Sequence, residues 1–162
     1  GVQTCALPIL EKIISYTGDR DVVTGEDIQQ VCTTQTQNKI FDMVRAVTEK
    51  NQKRALDLYY DLLTLKEPPM RILFLLAKQF RQLLLVKEYA EEGIPQPVMA
   101  SRLGVPSFVV KNIAVCARSY RISELRQAVT DFVDAEEAVK TGRLQDVLSV
   151  ELLIVKYSSA RR

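Results

Sequence analysis

Between Pro68 and Gly93 the chain carries Ile72, Leu73, Leu75, Leu76, Phe80, Leu83, Leu84, Leu85 and Val86, too many apolar side chains for one face of a helix. Proline is tolerated in a first helical turn, and glycine adopts the left-handed conformation that ends a helix. The segment therefore reads as one helix opened by Pro68 or Pro69, running to about Glu92 and stopped at Gly93. At 1.5 Å per residue it spans roughly 35 Å. Such a helix must be covered from several sides, either at the centre of an antiparallel bundle or shared with a neighbouring subunit.

The flanking sequence supplies the covering helices. Asn38 is placed to cap a helix carrying Ile40, Phe41, Val44 and Val47 that ends near Lys50-Asn51, and the next helix carries Ala55, Leu58, Tyr59, Leu62 and Leu63. Two shorter helices, about 96–103 and 106–119, are joined through Leu103-Gly104-Val105. Ser123 then caps a helix with the stripe Leu125, Val129, Phe132, Ala135 and Val139, ending at Gly142. A last helix holds Val147, Leu148, Val150, Leu152, Leu153, Ile154, Val155 and Tyr157, again apolar on more than one face. No stretch alternates with period two, so no sheet is expected and the fold class is all-α.

Before Asn38 the pattern is thinner. Leu10, Ile13 and Ile14 form a short face ending at Thr17-Gly18-Asp19, and Thr24 can cap a second short helix with Glu26 and Asp27 in its first turn. The polar run Thr33-Thr34-Gln35-Thr36-Gln37 reads as a linker. Two helices this small bury too little to stand alone, so residues 10–35 read as the tail of a larger helical unit and residues 36–162 as the main domain. The opening GVQTCALPI has neither Met nor helical periodicity and resembles the translation of a sequencing-library adapter. Residues 1–9 are accordingly expected to be a non-native leader, with natural sequence resuming near Leu10.

Composition removes several chemistries. The chain has no histidine, the side chain most used as a general base near neutral pH and as a zinc ligand. Cys5, Cys32 and Cys116 are odd in number and lack metal-ligand spacing, so neither a disulfide framework nor a zinc site is expected, and a reducing cytoplasm fits. There is no GxxxxGK[ST] loop and no GxGxxG turn, hence no expected nucleotide or other cofactor. No apolar run approaches a membrane span. Glu91-Glu92 and the group Asp134, Glu136 and Glu137 read as solvated helix faces, and the tyrosines as core or interface anchors. No catalytic, cofactor-binding or metal-ligating residue is assigned.

Charge is uneven. Residues 10–35 are net −3 and residues 36–162 net +5, and between 95 and 126 Arg102, Lys111, Arg118, Arg121 and Arg126 face only Glu124. Within that basic stretch QPVMASRLGVPSFVV fits a helix-turn-helix, with Ala100 at the crossing, Gly104 at the turn, and Val105 and Val110 toward the core. The reading positions of its second helix would be Pro106, Ser107, Phe108, Lys111 and Asn112, which offer little hydrogen bonding to base edges. A tight turn packed in a bundle accounts for the same residues. Burial of Phe108 and Val109 would favour the bundle, whereas an exposed second helix bearing Ser107, Lys111 and Asn112 would favour a DNA-binding regulatory module.

The run LEKIISYTGDRDVVTGEDI, followed by NKIFDMVRAVTEKNQKRALDLYYDLL, resembles the lid-to-collar passage of the bacterial DNA polymerase III delta subunit family. PPMRILFLLAKQFRQLLLVKEYAEEG, MASRLGVPSFVVKNIAVCARSYRISELRQAV and EEAVKTGRLQDVLSVELLIVKY resemble the same family in the same order. The resemblance implies an AAA+ lid remnant over residues 10–35 and a clamp-loader collar bundle over residues 36–162. It implies a non-catalytic module of the machine that places a sliding clamp on primed DNA, joined to the other clamp-loader subunits through the collar. The family's contacts with the clamp belong to an N-terminal domain outside this sequence, so contact with primed DNA would be indirect. The phrase Lys140-Thr141-Gly142-Arg143 could approach a template strand, which makes Lys140 and Arg143, with Arg118, Arg121 and Lys111, the candidate DNA-proximal residues. A basic pair at a helix end also serves the last carbonyls and the helix dipole.

Overall fold

A computed structural model describes Glu11, Ile14, Ser15 and residues 22–159, with side chains given for all of these except residues 25–34. The expected leader, and the stop at Thr17-Gly18-Asp19, lie outside the described residues. Internal contacts divide the chain into residues 1–39 and 40–162. Seven helices and no strand occur among the described residues: α1 Gly25–Thr48, α2 Gln52–Thr64, α3 Pro69–Glu91, α4 Gln96–Leu103, α5 Ser107–Ala117, α6 Ile122–Lys140 and α7 Asp146–Ser158. The fold is an all-α bundle.

One expectation fails at α1. Thr33–Gln37 is helix rather than linker, and Asn38 lies inside the helix instead of capping one. The run contains no glycine or proline, and threonine and glutamine each cost a helix only a few tenths of a kcal/mol, roughly, so nothing there forces a break. The break comes after Thr48. Lys50 sits in the left-handed region at φ 60°, and Asn51 accepts the N–H of Arg54 at 3.1 Å to cap α2.

The long helix is central, as its sequence requires. Pro69 occupies its first turn, and α3 buries Ile72, Leu73, Leu76, Phe80, Leu83 and Val86, each worth roughly 1.5–3 kcal/mol against exposure. It packs against α4, α5, α6 and α7, while α7 also meets α2 and α6. Phe80 gathers the aromatic heart of the bundle, with ring centroids 5.1 Å from Phe132, 5.5 Å from Tyr157 and 6.1 Å from Tyr120.

Two lysines tie helix ends to this core. Lys87 of α3 donates to the carbonyl of Ala117 at 3.0 Å, which also accepts the Tyr120 N–H, and to the carbonyl of Tyr120 in the turn that follows α5. Lys50 donates to the Tyr157 carbonyl at 2.9 Å, and the Tyr120 hydroxyl reaches the same oxygen at 2.7 Å. The ammonium of Lys50 lies 4.3 Å from the Tyr120 ring centroid, a cation–π contact.

At α6 the cap differs from expectation. Ser123 lies inside the first turn, Arg121 holds the N-cap position, and the Glu124 carboxylate turns back to accept the Arg121 N–H at 2.7 Å. This is half of a capping box, and it places a negative charge where the helix dipole favours one. The buried stripe runs through Leu125, Ala128 and Phe132, with Val129, Ala135 and Val139 only partly covered.

Candidate interaction surface

Most of the apolar surface of α7 is in the core, but one stripe is not. Leu148 is 41% and Leu152 51% exposed, and their i, i+4 spacing puts them side by side on one face. Across from them α2 presents Tyr60, 48% exposed, whose hydroxyl donates to Glu151 Oε1 at 2.7 Å. That hydrogen bond raises the pKa of Tyr60 and occupies the carboxylate standing between the two leucines. The neighbouring Tyr59 is turned inward, fully buried, with its hydroxyl on the Val147 carbonyl at 3.1 Å. Burial pushes its pKa up, so it stays protonated as a donor at any ordinary pH. Tyr60, Leu148 and Leu152 thus form an outward apolar patch whose one carboxylate is already engaged. Large apolar side chains grouped at a surface are characteristic of contact regions.

The helix-turn-helix geometry is present. α4 and α5 meet at 101°, Gly104 takes φ 63° at the turn, and Ala100 and Val110 are buried, while Val105 is partly covered. Phe108, whose burial would favour the bundle, is 68% exposed, and Val109 is only partly covered. Ser107, Lys111 and Asn112 are exposed as well, the arrangement associated above with DNA binding. The same outer face also carries Val115, 55% exposed, so its middle is apolar rather than hydrogen-bonding. Phe108 turns outward because α5 buries Val110, Ile113, Cys116 and Ala117, which leaves positions 108, 111, 112 and 115 on the opposite side.

The five candidate DNA-proximal residues are all exposed, yet they do not come together. Lys140 and Arg143 stand at the C-terminal end of α6, whereas Arg118 and Arg121 precede its N-terminus, and its 19 residues span roughly 28 Å. Lys140 pairs with Glu136 at 2.5 Å and Arg143 with Glu137 at 2.9 Å. Exposed pairs of this kind contribute about 0–1 kcal/mol and leave both cations open to exchange partners. A shallow cavity of about 240 Å³ between α6 and α7 is lined by Lys50 and Lys156, both engaged, the second with Asp131 at 2.5 Å. No group of three metal-ligating side chains occurs among the described residues, and no single described helix is long and apolar enough to cross a membrane.

Sequence reasoning missed the helix-end roles of Lys50 and Lys87, because neither lies near its acceptor along the chain. It did separate Tyr59, on the apolar stripe, from Tyr60, and α2 buries the first and exposes the second.

Comparison with known proteins agrees with this architecture. Residues 37–157 match the family described as DNA polymerase III delta subunit, C-terminal domain. DNA polymerase III subunit delta of Bacillus subtilis (strain 168) is 30% identical over 147 residues, covering 91% of this chain and 42% of that protein. Among solved structures, the Bacillus subtilis DNA clamp loader delta protein (YqeN) superposes with a TM-score of 0.74 at 30% identity, over 91% of this chain and 44% of that one. The chain spans under half the length of both relatives. With the family match extending from α1 to α7, the chain belongs to the family of C-terminal domains of the DNA polymerase III delta subunit.

Proposed function

We propose that this chain is the non-catalytic collar module of a clamp-loader delta subunit, the part through which such a protein joins its neighbours in the machine that places a sliding clamp on primed DNA. The observation that carries the reading is the outward patch of Tyr60, Leu148 and Leu152 on a domain of this family. Helix sides of this kind supply apolar area to stable interfaces between subunits, which bury on the order of 1,600 Å² in the standard class. In this reading residues 36–162 form the collar and residues 10–35 belong to an AAA+ lid. The partners are the other clamp-loader subunits, and contact with the clamp itself falls to an N-terminal domain. The setting is cytoplasmic, and the module needs no cofactor.

The test is co-purification of the chain with the remaining clamp-loader subunits of a Bacillus species, beside titration of the chain alone with duplex DNA. A stable complex with weak or absent duplex binding supports the collar reading. The exposed outer face of α5 favours a second reading, a helix-turn-helix DNA binder. Tight, sequence-selective duplex binding with a steep salt dependence, and no complex with the other subunits, would establish that reading in place of the first.

A further inference from the structure

From Gly93 to Ser123 the chain carries Arg102, Lys111, Arg118 and Arg121 and neither Asp nor Glu. The α4–α5 pair is therefore a surface of one sign. Lys111 and Arg118 are exposed and make no ion pair among the described residues, and their spacing sets both along one edge of α5. Beside that edge stand Phe108 and Val115, 68% and 55% exposed.

Next to Val115 the surface is concave. Phe41 and Arg45 of α1 and Asn112, Val115 and Cys116 of α5 line a groove of about 150 Å³, all within the unit of residues 40–162. That volume suits about one apolar side chain. Burial raises the pKa of the Cys116 thiol, so the floor is uncharged. On the α1 wall Arg45 is paired with Glu49 at 2.9 Å, so that carboxylate is engaged, and the cations with no ion pair among the described residues stand on the α5 edge.

We propose that this groove and the α5 edge bind an acidic peptide segment of a partner protein, with one apolar side chain of that segment in the groove and its flanking carboxylates facing Lys111 and Arg118. Charge complementarity selects the occupant: a carboxylate-free cationic edge repels basic segments and steers acidic ones. The groove and Val115 favour a peptide over a nucleic acid, since phosphates and bases would leave this apolar concavity unfilled. Phe108 stacks on a base as well as on a peptide side chain, and the oligothymidylate comparison below separates the two. A concave site for one side chain fits a peptide anchor better than a flat lipid surface. This surface involves α1 and α5 and is separate from the α2–α7 patch.

Fluorescence polarisation on the full chain tests the proposal. The probe is a labelled synthetic peptide in which Leu-Phe pairs alternate with Glu-Asp pairs. Comparison ligands are the same peptide with Lys in place of the acidic residues, polyglutamate, labelled oligothymidylate, and phosphatidylglycerol vesicles. Saturable binding of the acidic peptide is expected, with polyglutamate weaker for want of an anchor. Joint Lys111→Glu and Arg118→Glu replacement should weaken it by about tenfold or more, and Val115→Asp should weaken it independently. Unchanged thermal melting of the charge variant, altered only at exposed positions, keeps the result interpretable should Val115→Asp unfold the chain. No saturable binding of the acidic peptide, equal binding of the lysine peptide, equal binding by the variants, or preference for oligothymidylate or vesicles would each overturn it.

Discussion

Asp131 shows how one side chain couples two helices. Its partial burial alone would raise its pKa, but hydrogen bonds from Lys156, Tyr157 and Gln127 outweigh that and hold it below the ordinary aspartate value. The stabilisation is complete above that ordinary value of about 3.9 and is lost as pH falls through the lower folded-state value. Asp131→Asn should cost about 1–2 kcal/mol near neutral pH, where charge-assisted bonds are at full strength. Urea unfolding below pH 5 should then show the wild type losing more stability than the variant, until the two converge in acid. Ser149 is the opposite case, a buried hydroxyl of α7 with no hydrogen-bond partner among the described residues. Ser149→Ala removes an unsatisfied group and should leave stability unchanged or raise it by about 1 kcal/mol, read as a small upward shift in melting temperature. Lys140 and Arg143 are held by exposed ion pairs and, for Arg143, by one exposed hydrogen bond to the Thr141 hydroxyl, so their joint replacement by Ala should leave melting nearly unaltered. In a full-length protein it should reduce clamp loading on primed DNA, and unchanged loading would remove both from contact with the template.

Among the elements, the helices were legible because their information is local. Proline at the start of α3, the glycine stops at Gly93 and Gly142 and the 3.6-residue stripes are written along the chain, and these appear where their physical cause places them. The misreadings have causes too. Thr33–Gln37 looked like a linker because it is polar, yet polarity does not break a helix without glycine or proline. Ser123 looked like a cap because its hydroxyl could serve, but the side chain of Glu124 fills that role from the third helical position. The α4–α5 joint rests on Gly104 at φ 63°. A Cβ built there meets nothing within 4 Å, so any penalty for Gly104→Ala is backbone strain and not a clash. About 1 kcal/mol of destabilisation is expected, measurable by chemical unfolding. A cost several times larger would mean the turn carries packing beyond its conformation.

For the whole molecule, the bundle was legible and its outer surface was not. Period and composition identify which helices must be covered, and a helix apolar on two faces announces a central position. They do not say which apolar residues remain outside once covering is complete. Leu148 and Leu152 lie in the same run as the buried Val150, Leu153 and Ile154, and only packing against α2, α3 and α6 separates the two sets. Phe108, whose burial would have favoured the bundle reading, stands outside because α5 turns Val110, Ile113, Cys116 and Ala117 inward. If the α2–α7 patch is the assembly surface, the direct measurement is co-purification of a Leu148→Glu, Leu152→Glu variant with the other clamp-loader proteins. Both positions are substantially exposed, so the variant should melt within a few degrees of the wild type, yet it should fail to enter a complex that the wild type joins. A folded variant that co-purifies as fully as the wild type would contradict the assignment of this face.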